Sequence, residues 1–415
     1  MAQLGAVLEE LMTSHSAWRM ALAGALSLSL GSAALAQQAA APPAWAQGRP
    51  AEQANSSLAP HAPRLTATPA DRIPLNSIRL PEGFRAELWA SGMPGARMMA
   101  RGEDGTVYVG TRTIGRVYAV KDEGNARSTR ILAQRLDNPN GVVVRDGALY
   151  VIAVNRVLRF DNIAQNPNAE PVELTEAFAL PTEGHHGWKF AAFGPDGKLY
   201  MNIGVPCNVC TFDENRHALI VRYNPDGSGR EVMGHGIRNS VGFDWRPGTN
   251  VLYASNNARD WAGNELPEDT LHRLSRPGEH HGFPYCSGNA WQDPGHTGRQ
   301  CSEFPAPVAL LGPHTAPLGM RFYTGTMFPE AYRGRAFIAR HGSWNRDAKS
   351  GFDVVTVTLN EDGTQGQVEP FLSGLLDTAG NSFSGRPTDV LVMADGSLLV
   401  SDEQNGAIYR ITYRR

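Results

Sequence analysis

A short hydrophobic pattern recurs along the chain: an apolar strand, a tight turn and a second apolar strand. The five clear copies are centred on the turns Asp104-Gly105, Asp146-Gly147, Asp196-Gly197, Pro247-Gly248 and Asp395-Gly396. Asp-Gly between apolar strands predicts a β-hairpin, because glycine accepts the positive φ that such turns need. A third strand often follows, as at residues 115–120 and 407–411. Each repeat is therefore predicted to be a small antiparallel meander.

A sixth, degenerate repeat is found at residues 320–323, 335–340 and 353–359. No long amphipathic helix is predicted, and the repeats lie about 40 to 50 residues apart in places, as propeller blades do. The pattern predicts an all-β fold, a six-bladed β-propeller of four-stranded antiparallel blades. The strand at 84–90 precedes the first meander, and we expect it to join the last blade and close the ring, which removes both open sheet edges.

The N-terminal region has a different composition from the repeats. Trp18-Arg19, the apolar run 20–30 and the Ala-x-Ala sequence ending at Ala36 predict a secretory signal over residues 1–36, with 1–17 as an upstream extension. An uncleaved membrane anchor is the alternative, but the run is short and rich in Ala and Ser, so no stable membrane insertion is expected. Residues 37–70 are predicted to be a disordered linker and 71–415 the propeller catalytic domain. The expected location is periplasmic or secreted.

Charge and cysteine content narrow the function. The 415 residues carry a net charge of −3, and 19% of them are charged. The sequence has no basic patch, so nucleic acid is not expected as a partner. The cysteines fall in two close pairs, Cys207/Cys210 and Cys286/Cys301, which in an exported protein predict two local disulfides. A redox site or half of a zinc site is the alternative for the first pair.

Polar residues before the inner strand of several blades are the candidates for chemistry. They are Arg97, Asn138 to Asn140, the pair His185-His186, the pair Arg238-Asn239, and Arg386. Radial repetition brings such positions to one mouth of the central channel. Arginines bind carboxylates in a bidentate fork, so this set suits a flat tricarboxylate, and a histidine can take a proton from a hydroxyl. The alternative is that each residue is a polar group capping a loop at its blade end.

Several phrases of this sequence carry a resemblance to a known family. They are residues 186–200, 236–242, 257–261, 337–346 and 385–390. Together, in this order, they resemble the soluble PQQ-dependent sugar dehydrogenases, and most closely the sorbosone and pyranose dehydrogenase branch. The similarity runs from about residue 79 to residue 413.

The resemblance and the positions at the blade mouths imply roles for individual residues. His186 is the expected general base, with His185 as the alternative. The expected cofactor-binding residues are Arg97, Lys189, Arg238, Asn239, His341, Asn345, Arg346 and Arg386. The family's paired-arginine motif is broken here, because Thr388 stands in the second position. The loop 256–260 corresponds to the family's calcium loop, so Ca²⁺ ligands are expected at Ala258, Arg259 and Asp260, partly through main-chain carbonyls.

The resemblance implies oxidation of a sugar (an aldose, pyranose or sorbosone-like substrate) by hydride transfer to PQQ. Electrons would pass to an external acceptor, a quinone or a cytochrome, because the chain has no haem motif. Two alternatives stay open. One is a calcium-dependent lactonase-type propeller hydrolase, and the other is a non-catalytic propeller that binds a partner. The sequence does not distinguish which sugar or which acceptor is used.

Overall fold

The computed structural model describes residues 42–124 and 126–414. The predicted secretory signal, residues 1–36, lies outside the described residues. Within the described part of the chain, no helix is both long and apolar enough to cross a membrane. Among the described residues, nearly all of the regular structure is β-strand. Six sheets each contain four antiparallel strands and form the blades, so the predicted six-bladed propeller is confirmed.

The first three blades follow one another along the chain, and in each the strands pair in sequence order. Blade 1 contains Met99–Arg101, Val107–Val109, Arg116–Asp122 and Arg127–Gln134. Blade 2 contains Gly141–Arg145, Ala148–Ile152, Val157–Phe160 and Val172–Glu173. Blade 3 contains Ala191–Phe193, Leu199–Ile203, Leu219–Tyr223 and Glu231–His235, with Glu279–His280 added in parallel at its edge.

The remaining blades include the degenerate repeat and the closing strand. Blade 4 contains Phe243–Trp245, Leu252–Asn256, Glu268–Leu274 and Ala309–Pro313. Blade 5 contains Pro317–Phe322, Ala336–Arg340, Asp353–Leu359 and Gly366–Leu372, where the sixth repeat was predicted. Blade 6 contains Pro387–Val392, Leu398–Asp402, Ala407–Tyr413 and the early strand Phe84–Ala90. Because Phe84–Ala90 pairs with Ala407–Tyr413, the predicted closure of the ring is also confirmed.

Short helical turns and small hairpins lie before the first strand and in the loops that connect the blade strands. The 3-10 turns are Ala44–Ala46, Ala51–Gln53, Ala70–Arg72, Leu75–Ser77, Cys301–Glu303 and Glu330–Tyr332. One α-helical turn spans Thr175–Phe178, and two small hairpins pair Cys286–Ser287 with Trp291–Gln292 and Leu376–Asp377 with Ser382–Phe383. These elements lie outside the blades, so they leave the ring of sheets intact.

The Asp-Gly turns form for the reason that the sequence suggested. At Asp146-Gly147 both residues have positive φ, 49° and 73°, the combination that matches the twist of a two-residue hairpin. In the turns at Asp104 and Asp395 the carboxylate instead accepts a hydrogen bond from the backbone N–H two residues later. That bond closes the turn locally, which is why Asp recurs there.

Buried carboxylates join adjacent blades near the axis. Asp389 of blade 6 accepts a hydrogen bond from the backbone of Met99 in blade 1 at 2.8 Å, and Asp244 of blade 4 accepts one from Phe322 in blade 5 at 2.8 Å. Apolar side chains fill the rest of the space between blades. The inner ends of the strands are thereby held in register around the channel, which gives a rigid frame for the loops at its mouth.

Candidate functional site

A cavity of about 310 Å³ opens at one mouth of the channel. Nine of the residues predicted for the site line it: Arg97, His186, Arg238, Asn239, Ala258, Asp260, His341, Asn345 and Arg386. His185 lines it as well. These side chains come from segments far apart in the sequence, and they converge because each stands in a loop at the same end of its blade.

The two histidines lie in a turn and not on a strand. His186 has φ 51°, and the turn is followed by Gly187. A strand would send neighbouring side chains to opposite faces, but this turn brings both rings to the cavity with their centroids 4.0 Å apart. Gly204 makes the turn possible, since a Cβ there would lie 2.5 Å from the Cβ of His186.

The two rings nevertheless differ in their hydrogen bonds. The Nδ1 of His186 is 2.9 Å from the carbonyl oxygen of Val205, so Nδ1 carries the proton and Nε2 is left as the acceptor. Burial, then the neighbouring His185 and Arg238, hold the pKa of His186 well below its usual value. Burial lowers the pKa of His185 to about 4, and its Nε2 is enclosed without a protein partner.

A charged cluster forms another part of the cavity lining. Arg97 donates from Nη1 to Glu403 at 2.6 Å, and the Nε2 of His341 lies 2.7 Å from the same carboxylate oxygen, although its direction departs from that of a good hydrogen bond. Burial opposes ionisation of Glu403, but Arg97 and His341 together hold its pKa well below the usual range. Burial lowers the pKa of His341 to about 3. The cluster is therefore an arginine and a carboxylate beside a neutral imidazole.

Two further arginines of the cavity lack an acidic partner among the described residues. Arg386 donates only to the carbonyl oxygens of His341 and Gly342, at 3.2 and 3.3 Å. Arg112 lies over the ring of Trp188 at 4.5 Å. Burial lowers the pKa of Arg386 to about 10, which still leaves it charged at neutral pH. These two positive charges are available to an anion.

The acidic residues of the cavity do not balance this charge. The lining contains five arginines, Arg64, Arg97, Arg112, Arg238 and Arg386, against Asp260, Asp269 and Glu403. Burial raises the pKa of Asp269 to about 6, and that carboxylate accepts hydrogen bonds from the backbone of Ala258 and Ala316. Because Asp269 is already satisfied by main-chain donors, the open part of the cavity favours a negatively charged ligand.

Arg238 is held more tightly than the sequence suggested. Its Nε and Nη2 donate to the carbonyl and side-chain oxygens of Asn208, both at 2.9 Å. Its other contacts are the carbonyls of Asn257 and Ala258 and the carboxylate of Asp260. A guanidinium has five N–H donors, and all five are used here. Arg238 therefore offers charge to the cavity rather than a free hydrogen bond.

The loop proposed for calcium does not fit a cation in this arrangement. The carbonyl oxygens of Asn257 and Ala258 accept from the Nη1 of Arg238, at 3.2 and 2.9 Å, so a dication on them would face a guanidinium. Arg259 points away and pairs with Asp293 at 2.7 Å. Among the described residues, no three His, Cys, Asp or Glu side chains are grouped to hold a metal. The calcium site stays a prediction.

Two predicted cofactor residues lie outside the cavity lining, as does Arg259. Lys189 is buried, and its ammonium donates to the carbonyl of Gly187 at the base of the histidine turn. Burial lowers the pKa of Lys189 to about 8. Arg346 instead pairs with Glu265 at 2.5 Å and donates to the carbonyl of Asn264. Their predicted contact with a cofactor is not part of this arrangement.

Sequence reasoning missed several residues of the site. They are Trp45, His61, Arg112, Asn208, Asp269, His314, Trp344 and Glu403. Asn208 had a signal, because it stands between Cys207 and Cys210 in a loop that the predicted disulfide closes. The second predicted disulfide, Cys286–Cys301, is also confirmed. Glu403 and Arg112 had no signal in the sequence that would mark them as site residues, since single charged residues in loops are common.

The fold and the site define a class: a six-bladed propeller whose axial cavity carries surplus positive charge. The family described as TrAA12-like matches residues 289–414. An uncharacterized protein of Borreliella burgdorferi is 29% identical over 354 residues, which cover 82% of this chain and 92% of that protein. A pyrroloquinoline quinone-dependent pyranose dehydrogenase of Coprinopsis cinerea is 27% identical over 43% of this chain and 31% of that enzyme.

Solved structures agree with the propeller. The holo PQQ domain of the Coprinopsis cinerea pyranose dehydrogenase has a TM-score of 0.67 at 20% identity, covering 81% of this chain and 97% of that domain. The PQQ-bound aldose sugar dehydrogenase of Streptomyces coelicolor has a TM-score of 0.57 at 18% identity, covering 81% and 100%. The resemblance of this chain to the PQQ-dependent sugar dehydrogenases is confirmed, most clearly to the pyranose dehydrogenase branch.

Proposed function

We propose that this protein oxidises a sugar with PQQ as its cofactor and passes the electrons to an external quinone or cytochrome. The observation that carries the proposal is the excess of arginine over carboxylate in the axial cavity, beside a neutral histidine. PQQ is a flat tricarboxylate, and unpaired guanidinium groups are the donors that bind such an anion. The sugar dehydrogenases among the structural neighbours support the same assignment.

The cofactor would be held by Arg386 and Arg112, whose charges have no carboxylate partner among the described residues. Arg97 and Arg238 add further positive charge to the cavity, and each is paired with one acid: Arg97 with Glu403 and Arg238 with Asp260. When bound, PQQ supplies a quinone that accepts a hydride equivalent from the sugar carbon. The protein's part is to orient the two partners and to manage the proton.

His186 is the proposed general base. Its Nδ1 hydrogen bond to Val205 fixes the tautomer, and the lone pair on Nε2 is then free to accept the proton of the sugar's hydroxyl. Its lowered pKa keeps the imidazole neutral at pH 7, so no proton has to leave before the reaction. The nearby Arg238 disfavours the charged ring and so favours rapid return of the proton to solvent.

The test is a titration of the purified chain with PQQ, followed by addition of aldoses and a dye acceptor. We expect saturable PQQ binding and bleaching of the quinone absorbance on adding sugar. Repeating the titration with and without calcium tests the predicted metal loop. Hydrolysis of a lactone without PQQ would instead support the lactonase alternative. The absence of both activities would support a non-catalytic propeller that binds a partner.

A further inference from the structure

The segment 42–69, which we call the N-terminal strap, crosses the mouth of the cavity. At one end the carbonyl of Trp45 accepts from the indole of Trp261 at 2.7 Å, and the carbonyl of Gln47 accepts from Asn208 at 2.7 Å. At the other end Thr68 donates to Asn405 through both its backbone and its hydroxyl, at 3.0 and 2.8 Å. The composition predicted a disordered linker here, yet the strap is attached to blades 3, 4 and 6.

The middle of the strap also touches the propeller. The Nε2 of His61 lies 3.2 Å from the carbonyl of Ser343 in blade 5, and its ring meets that of Phe383 edge-on, with centroids 4.8 Å apart. Burial and the nearby Arg386 lower the pKa of His61, so this ring is neutral. The strap is therefore fixed over one side of the mouth, with His61 close to one of the cofactor-binding arginines.

Strap residues form part of the cavity lining, and about 310 Å³ remains open beneath them. They are Trp45, Pro60, His61, Ala62, Pro63 and Arg64. A segment that filled the cavity would leave no such volume beside the arginines. The strap is thus placed as a wall of the cavity and not as a plug.

The strap contributes mainly aromatic and apolar residues and one arginine, Arg64, to the lining, whereas the other four lining arginines come from the propeller. Trp45 packs edge-on against Trp344, with ring centroids 5.6 Å apart, and both rings line the cavity. Arg49 covers the third ring of the group, Trp261, at 4.0 Å. Rigid aromatic surface with a few polar groups suits a neutral polyhydroxyl ring, which offers both C–H faces and hydroxyls.

We propose that the N-terminal strap forms the outer wall of the sugar-binding site and that Trp45 and His61 determine which saccharides are accepted. This rests on the proposed function. The arginines of the propeller hold the anionic cofactor, and the aromatic and apolar part of the strap contacts the substrate. The size of the accepted sugar is then set by a segment that precedes the propeller in the chain.

The experiment uses the full chain with Trp45→Ala and His61→Ala, and with Leu65→Ala as the matched control. Leu65 lies in the same strap, is 68% exposed and does not line the cavity. With glucose and cellobiose as probes, we expect Trp45→Ala to raise KM by about tenfold with little change in kcat. The ratio of KM values for the two sugars should shift, PQQ affinity should stay the same, and Leu65→Ala should behave as the wild type.

A second measurement does not depend on turnover. Trypsin cleavage after Arg64 is followed by mass spectrometry with and without glucose, and cleavage after Arg72, outside the strap, is the control. Sugar should slow the first cleavage and not the second.

If the wild type is active, two results together would overturn the strap proposal: KM values of Trp45→Ala and His61→Ala equal to that of the wild type, and no effect of sugar on cleavage after Arg64. Faster turnover together with tighter PQQ binding in Trp45→Ala would also overturn it, because the strap would then be an obstruction. A wild type that neither binds PQQ nor oxidises sugar would contradict the proposed function itself.

Discussion

The Nδ1–H of His186 donates a hydrogen bond to the carbonyl oxygen of Val205 at 2.9 Å, and this one bond decides which ring nitrogen can accept a proton. It leaves Nε2 as the acceptor in a ring that burial keeps neutral. A base that is preset in this way needs no rearrangement before it accepts a proton.

Replacing His186 by Gln should lower kcat by about 10²- to 10⁴-fold, the usual contribution of a general base, with PQQ affinity nearly unchanged. His185→Gln is the matched control, because the ring of His185 also lines the cavity but its Nε2 is enclosed, whereas the tautomer of His186 is fixed by its hydrogen bond to Val205. Its effect should be much smaller. Initial rates with several aldoses and a dye acceptor measure both, and full activity of the His186 variant would remove this residue from the mechanism.

The pH dependence of kcat/KM should follow the lowered pKa of His186. A base works in its neutral form, and a lowered pKa extends the neutral form to more acidic solution. The acid limb should therefore lie below pH 6.5, and activity should be flat from there towards neutral pH. A rate profile over pH 4 to 8 decides it; an acid limb centred above 6.5 would show that the ring is not desolvated in the enzyme.

Arg386→Ala should weaken PQQ binding by roughly tenfold or more, since a charge-assisted hydrogen bond contributes about 1.5–3 kcal/mol. Arg346→Ala is the control, because Arg346 pairs with Glu265 outside the cavity although its motif predicted a cofactor contact. Its PQQ affinity should equal that of the wild type. Fluorescence or absorbance titration with PQQ measures both, and equal losses in the two variants would contradict the placement of these arginines.

Lys189→Met should lower kcat while leaving PQQ affinity within about threefold of the wild type. The ammonium of Lys189 supports the carbonyl of Gly187 beneath the histidine turn, so its loss disturbs the base and not the cofactor. Lys189→Arg, which keeps the charge and the donors, should recover part of the rate. A large loss of PQQ affinity would instead support the cofactor contact that the sequence predicted.

The two disulfides should have separable effects. Cys207→Ser with Cys210→Ser frees the loop in which Asn208 holds Arg238, so PQQ affinity should fall by roughly tenfold with a small change in Tm. Cys286→Ser with Cys301→Ser opens a loop of sequence separation 15 and should cost about 3 kcal/mol of stability with PQQ affinity unchanged. Thermal melts and PQQ titrations of both variants check this, and identical behaviour would contradict it.

The sequence alone determined the repeating frame. Short apolar runs have the length of strands, and Asp-Gly sets the turn between two strands, so each hairpin follows from neighbours in the chain. The closing strand Phe84–Ala90 and the pairing of Cys207 with Cys210 were also predictable. So was the convergence of Arg97, His186, Arg238 and Arg386, because equal positions in a radial repeat meet at one mouth.

Only the tertiary structure decided which side chains serve the cavity. The candidate residues stand in loops, where no periodicity gives the direction of a side chain, so Lys189 and Arg346 resembled Arg386 until their partners were known. Each guanidinium donates to the acceptor that the fold brings near it. Arg97, for example, donates to Glu403, which lies 306 residues later in the sequence. The position of the strap is also set by the propeller. The strap has too few apolar residues to form a core of its own, and it is held by contacts with Trp261, Ser343 and Asn405.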